Sequence, residues 1–68
     1  MTTEDRLNNV LRMFDERAEY WHDKNKEKPS LPAATAMTAY NSAYMMLYCA
    51  MQGYDEELAQ FDYYGKEN

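Results

Sequence analysis

The chain is expected to be all-α: an antiparallel helical hairpin with a short C-terminal third helix, two copies of which join into a four-helix-bundle-like assembly. Three observations predict this. Apolar residues recur at alternating steps of four and three along two long segments, the spacing of helices packed along one stripe. Pro29 falls between those segments and Gly53 ends the second. From Pro29 to Tyr54 no side chain is charged, so the second segment has no face held in water by charge.

Helix one should run from about Glu4 to Asn25. Thr2 or Thr3 offers the N-cap, and Glu4 and Asp5 suit the positive end of the helix dipole. Leu7, Leu11, Phe14, Ala18 and Trp21 make a heptad-like seam that Val10 widens. Arg12, Asp15, Glu16, Glu19 and Asp23 form the opposite, solvated face. Arg12 can reach Asp15 or Glu16, an interaction of a few tenths of a kcal/mol. Glu19, with Asp15 and Asp23 four residues to either side, belongs to a mildly repulsive series.

The connection spans Lys26 to Pro32. Pro29 bars an unbroken helix, Ser30 can cap the next one, and Pro32 fits its first turn. So short a link favours antiparallel neighbours.

Helix two should span about Leu31 to Gln52. Its main seam is Ala33, Met37, Tyr40, Tyr44, Leu47 and Met51, broadened by Tyr48. Ala36, Ala43 and Ala50 follow at heptad spacing, with Ala39 beside them, and permit close approach of another backbone. Thr35, Thr38, Ser42 and Cys49 are expected on the far side, polar or small but uncharged, with Cys49 a small helix-packing residue, and Met45 and Met46 also point away from the seam. One partner helix cannot cover all of this, which leaves aromatic and methionine surface for another chain. Gly53 should end the helix in the left-handed conformation, with Tyr54 as the apolar contact after the stop. Asp55 is expected to cap helix three, about residues 55–63. Leu58 and Phe61 share one side of it, Tyr63 or Tyr64 lies nearby, and it should close one end of the hairpin. Gly65 to Asn68 should fray.

Sixty-eight residues make one small helical domain, 1–68, near the limit at which one chain supports its own core. The single cysteine permits no internal disulfide, so association with a second copy is the expected remedy. An unpaired thiol fits a reducing compartment and a cytoplasmic location. The acidic N-terminus has no apolar signal segment. Thr35, Thr38, Asn41, Ser42 and the tyrosines make the uncharged stretch too polar for membrane insertion.

With a net charge of −5, the chain lacks the clustered basic residues that nucleic acid demands. Lys24, Lys26 and Lys28 are interleaved with Glu27 and read as a solvated helix end. No direct nucleic-acid contact is expected, and no helix carries a basic recognition face. The acidity suits a larger protein partner with a basic surface.

Catalysis, a metal and a cofactor are not expected. Glu19 and His22 have the Glu-x-x-His spacing of di-iron bundles, but helix two offers no carboxylate to complete a site. His22 reads instead as a boundary residue with its ring beside Trp21. Cys49 has no basic residue within its helix to lower its pKa, and the carboxylates of helix one lie on an open face. Both glycines end helical segments, so no glycine-rich phosphate loop is present.

The seven tyrosines carry more information. Tyrosine and tryptophan combine large apolar area with a polar handle and serve as anchors in interfaces. The candidate protein-binding residues are Trp21, Tyr40, Tyr44, Met45 and Tyr48. The expected function is a small acidic protein-binding regulator or inhibitor, of the kind viruses and plasmids encode to modulate a host protein. One alternative is a nucleic-acid mimic, using Asp15, Glu16, Glu19, Asp23, Asp55, Glu56, Glu57 and Asp62, that inhibits a DNA- or RNA-binding enzyme. Another is a structural subunit or assembly chaperone of a larger complex.

Overall fold

Three helices follow one another in the order α1 (Thr3–Glu27), α2 (Leu31–Gln52) and α3 (Asp55–Lys66). The computed structural model describes the backbone of residues 1–66 and the side chains of residues 1–62. All regular structure among the described residues is helical.

Thr2 is the N-cap of α1. Its hydroxyl accepts from the Asp5 amide at 3.1 Å, and its own amide donates to Asp5 Oδ2 at 3.0 Å. This reciprocal pair satisfies two amides at the helix end. The backbone N–H of Thr2, with its side chain assisting, holds the Asp5 carboxyl below its usual range. A lowered pKa makes a contribution that is present above the ordinary carboxylate range and lost as pH falls through the lowered value. Acidification should therefore lower the protection factors of the first-turn amides in the native chain, that is, their exchange relative to the intrinsic rate at each pH. In Asp5→Ala those protection factors should already be low and should lose this pH dependence.

Helix α1 runs two residues further than the expected Asn25. Lys24 and Lys26 in its last turn suit the negative end of the dipole. The stop comes at Lys28, whose extended backbone (φ −142°, ψ 93°) is what a residue before proline adopts. Asn25 then braces the turn by accepting from the Ser30 amide at 3.1 Å. Ser30 caps α2, its hydroxyl accepting from the Ala33 amide at 3.2 Å, with Pro32 in the first turn.

The expected seams meet in the hairpin. Leu11, Ala18 and Ala33 are buried, while Leu7, Val10, Phe14, Trp21, Met37, Tyr40, Tyr44, Leu47, Tyr48 and Met51 are half-buried. Gly53 closes α2 at φ 75°, a left-handed conformation that glycine adopts at little cost. The Tyr54 amide reaches back to the Cys49 carbonyl at 2.9 Å.

Three expectations about the C-terminal part are corrected. Asp55 is not the cap of α3. The first helical bond runs from the Leu58 amide to the Tyr54 carbonyl at 3.0 Å, which makes Asp55, Glu56 and Glu57 first-turn residues beside the dipole's positive end. Nor does α3 close the hairpin: among the described residues it packs on α2 and not on α1. Cys49 is 3% exposed, in keeping with a small helix-packing residue. At 100° per residue it lies about 160° round α2 from Ala33, on the side turned away from α1. Helix α3, with Leu58 and Phe61 half-buried, supplies the cover. The backbone of α3 continues through Gly65 and Lys66, where fraying was expected. The contribution expected of the Tyr63 or Tyr64 side chain, and fraying at residues 67 and 68, lie outside the described residues.

Because α3 leaves α2 on the side away from α1, the chain is a flat layer. Its Cα extents are 37 × 35 × 13 Å, so the third dimension is far shorter than the other two.

Candidate functional site

The aromatic side chains of α2 gather along one edge of the hairpin. Helical spacing of four brings Tyr44 and Tyr48 into line, and their rings lie nearly parallel, 5° apart in plane and 6.2 Å between centroids. The turn at Gly53 then swings Tyr54 against Tyr48, edge to face at 6.2 Å. Tyr44, Tyr48 and Tyr54 thus form a continuous aromatic row, half-buried at its start and exposed at its end. Tyr40 lies one turn earlier. It meets Phe14 of α1 at 6.4 Å, and the Arg17 guanidinium sits 6.0 Å from its ring centre, within cation–π range.

The remaining candidate anchors are not part of this row. Trp21 is half-buried near the turn, edge-on to Tyr20 at 5.2 Å, and the Lys24 ammonium lies 5.5 Å over the Tyr20 ring. Met45 is 45% exposed on the other flank of α2, with Met46 and Leu31 also exposed. The candidate residues therefore fall on three patches: Tyr40, Tyr44 and Tyr48 along the hairpin seam, Trp21 at the turn, and Met45 on the outer side of α2.

Sequence reasoning passed over Tyr20 and Leu31 as surface features and weighed Tyr54 with the other tyrosines without naming it as a candidate anchor. Leu31 was visible as the first residue of a second seam on α2, since Leu31, Thr35, Thr38, Ser42, Met45 and Cys49 also step by four and three. An open groove lined by Leu31, Ala34, Thr35, Thr38 and Ala39 runs along this side.

His22 is not a boundary residue packed beside Trp21. It is exposed, with Nδ1 3.6 Å from Asp23, and Trp21 turns its ring to Tyr20 instead. Among the described residues no three His, Cys, Asp or Glu side chains gather as a metal would require. Within the same residues no helix is long and apolar enough to cross a membrane. On the solvated face of α1, Arg12 donates to Glu16 at 2.9 Å and Lys24 lies 3.8 Å from Glu27, so basic residues interrupt the acidic row. No protein-family model, curated protein or solved structure matches this chain.

Proposed function

We propose that this chain is a small acidic protein-binding regulator or inhibitor, of the virus- or plasmid-encoded kind, that acts as a homodimer and docks on a larger host protein with a basic surface. The observation that carries this reading is the division of its surface. An acidic α1 face and the acidic start of α3 flank an uncharged α2 on which Leu31, Met45, Met46 and the neighbouring Tyr54 remain exposed. Acidic flanks steer a basic partner and align it. The aromatic row of Tyr44, Tyr48 and Tyr54 then supplies most of the affinity, and the apolar side with Leu31, Met45 and Met46 is left to the second copy. The mimic of nucleic acid is the weaker reading, because Arg12 and Lys24 break the row of carboxylates.

Affinity capture from the native cell, read by mass spectrometry, should recover one stoichiometric partner whose binding weakens as salt is raised. Against that partner, His22→Ala should bind as the native chain does, while Tyr44→Ala and Tyr48→Ala, each verified as folded, should bind at least tenfold more weakly, roughly the loss of one modest hot spot. Normal binding by both folded tyrosine variants together with loss in His22→Ala would overturn the recognition model.

A further inference from the structure

The hairpin accounts for one side of α2, and α3 covers only the last part of the other. A compact monomer of 8.1 kDa exposes about 4,500 Å² of accessible surface, whereas this chain exposes 5466 Å². The excess, about 1,000 Å², is close to the roughly 800 Å² that each partner contributes to a standard stable interface. The radius of gyration agrees. It is 13.6 Å, against about 11 Å for a compact chain of this length and about 14 Å for one twice as long. By both measures the molecule has the dimensions of half of a larger compact body.

The missing half fits at the corner where α3 leaves α2. We infer that a second copy of this chain occupies the outer side of α2, with the two α2 helices antiparallel and related by a two-fold axis beside residue 40. This rests on the homodimer reading above and assigns its interface. In that register the open part of the outer seam opposes itself in two kinds of layer, Thr35 against Met45 and Thr38 against Ser42, while each Leu31 meets the other copy's α3 where it covers Cys49. Each Thr35–Met45 layer sets a large side chain against a small one, so the helices can approach without voids. The central layer sets hydroxyl against hydroxyl, and each can donate to the other. The groove beside Leu31 and Thr38 lies where the partner's methionines arrive, and Met45 and Met46 are 45% and 39% exposed.

Charge selects the antiparallel direction. The start of α2 adjoins Lys26 and Lys28, and its end adjoins Asp55, Glu56 and Glu57. Antiparallel pairing brings the basic turn of each copy to the acidic first turn of the other copy's α3. Parallel pairing would set like against like at both ends. The same arrangement gives α3 a second surface. As a twelve-residue helix it is marginal on its own, and among its described side chains Leu58 and Phe61 alone are half-buried within one chain.

Sedimentation equilibrium and far-ultraviolet circular dichroism on the full chain test this. The native chain should sediment as twice 8.1 kDa at hundred-micromolar concentration. Thr38 is exposed in the single chain, so Thr38→Glu should keep its helicity while dimerisation weakens roughly 100-fold or more, because the interface would bury a charge without a partner. Ser42→Lys should act likewise. An equimolar mixture of Thr38→Glu and Ser42→Lys should recover the dimer, since the register brings the introduced carboxylate and ammonium together. A Thr38→Glu chain that dimerises as tightly as the native one would overturn this interface and leave the homodimer standing. A native chain that stays at 8.1 kDa would remove both. If Thr38→Glu lost helicity alone, recovery in the mixture would support the interface, and failure to recover would overturn it.

Discussion

Leu11→Ala should lower the free energy of unfolding by about 2–5 kcal/mol, the range for deleting a buried leucine and leaving a cavity. Leu11 is 8% exposed, while the other buried residues, Ala18, Ala33 and Cys49, are small. Among the described residues no larger side chain is so well enclosed. A domain of this size holds only about 3–5 kcal/mol from a single core, so this one substitution should remove most of its stability. Urea titration followed by circular dichroism reads the change. Met13→Ala, on an exposed position of the same helix, is the control and should shift stability by no more than about 0.5 kcal/mol. Equal losses in the two variants would show that the hairpin is not organised around Leu11. Leu47 is only half-buried, so Leu47→Ala belongs at the low end of the leucine range.

The second large effect is confined to one part of the molecule. Cys49→Asp should cost on the order of 3 kcal/mol at neutral pH, because it places an unpaired charge where the native thiol is 3% exposed. Full burial of a leucine or phenylalanine contributes about 1.5–3 kcal/mol, and Leu58 and Phe61 are each only half-buried. The charge therefore outweighs what holds α3 in place, so α3 should detach. The contacts of α1 with α2 do not involve α3, so the hairpin should persist. Amide exchange should rise across residues 55–62 and stay slow around Leu11 and Ala18. Uniform acceleration along the whole chain would mean that α3 and the hairpin form one cooperative unit.

Local signals made the hairpin legible. Thr2 with Asp5, Ser30 with Pro32, and Gly53 each act within a few residues of themselves, so spacing alone places the helix ends. The main seams were legible for the same reason, because a step of four and three fixes one face of a helix whatever packs on it. What spacing does not fix is which of two opposite faces a third element takes. Cys49 reads as a small packing residue with no element named to cover it, and the left-handed turn at Gly53 sends α3 to its side of α2. The candidate residues fare likewise. Tyr44 and Tyr48 are four apart and join, and Met45, next in sequence, is turned by about 100° onto another surface. Tyr40 pairs with Phe14 and Arg17 across the hairpin, contacts that no local pattern encodes.

A layer 13 Å deep also changes how the chain should respond to heat. Specific unfolding values of about 0.7 kcal/mol and 2.1 cal/mol/K per residue scale to roughly 48 kcal/mol and 0.14 kcal/mol/K for a chain of this length. So small an enthalpy makes the melting curve shallow. It spreads over tens of degrees, and each kcal/mol gained or lost moves its midpoint by about 7 °C. Any body that covers the layer, a second copy included, moves the midpoint with its own concentration. The midpoint of this chain is then a reading of occupancy as much as of sequence.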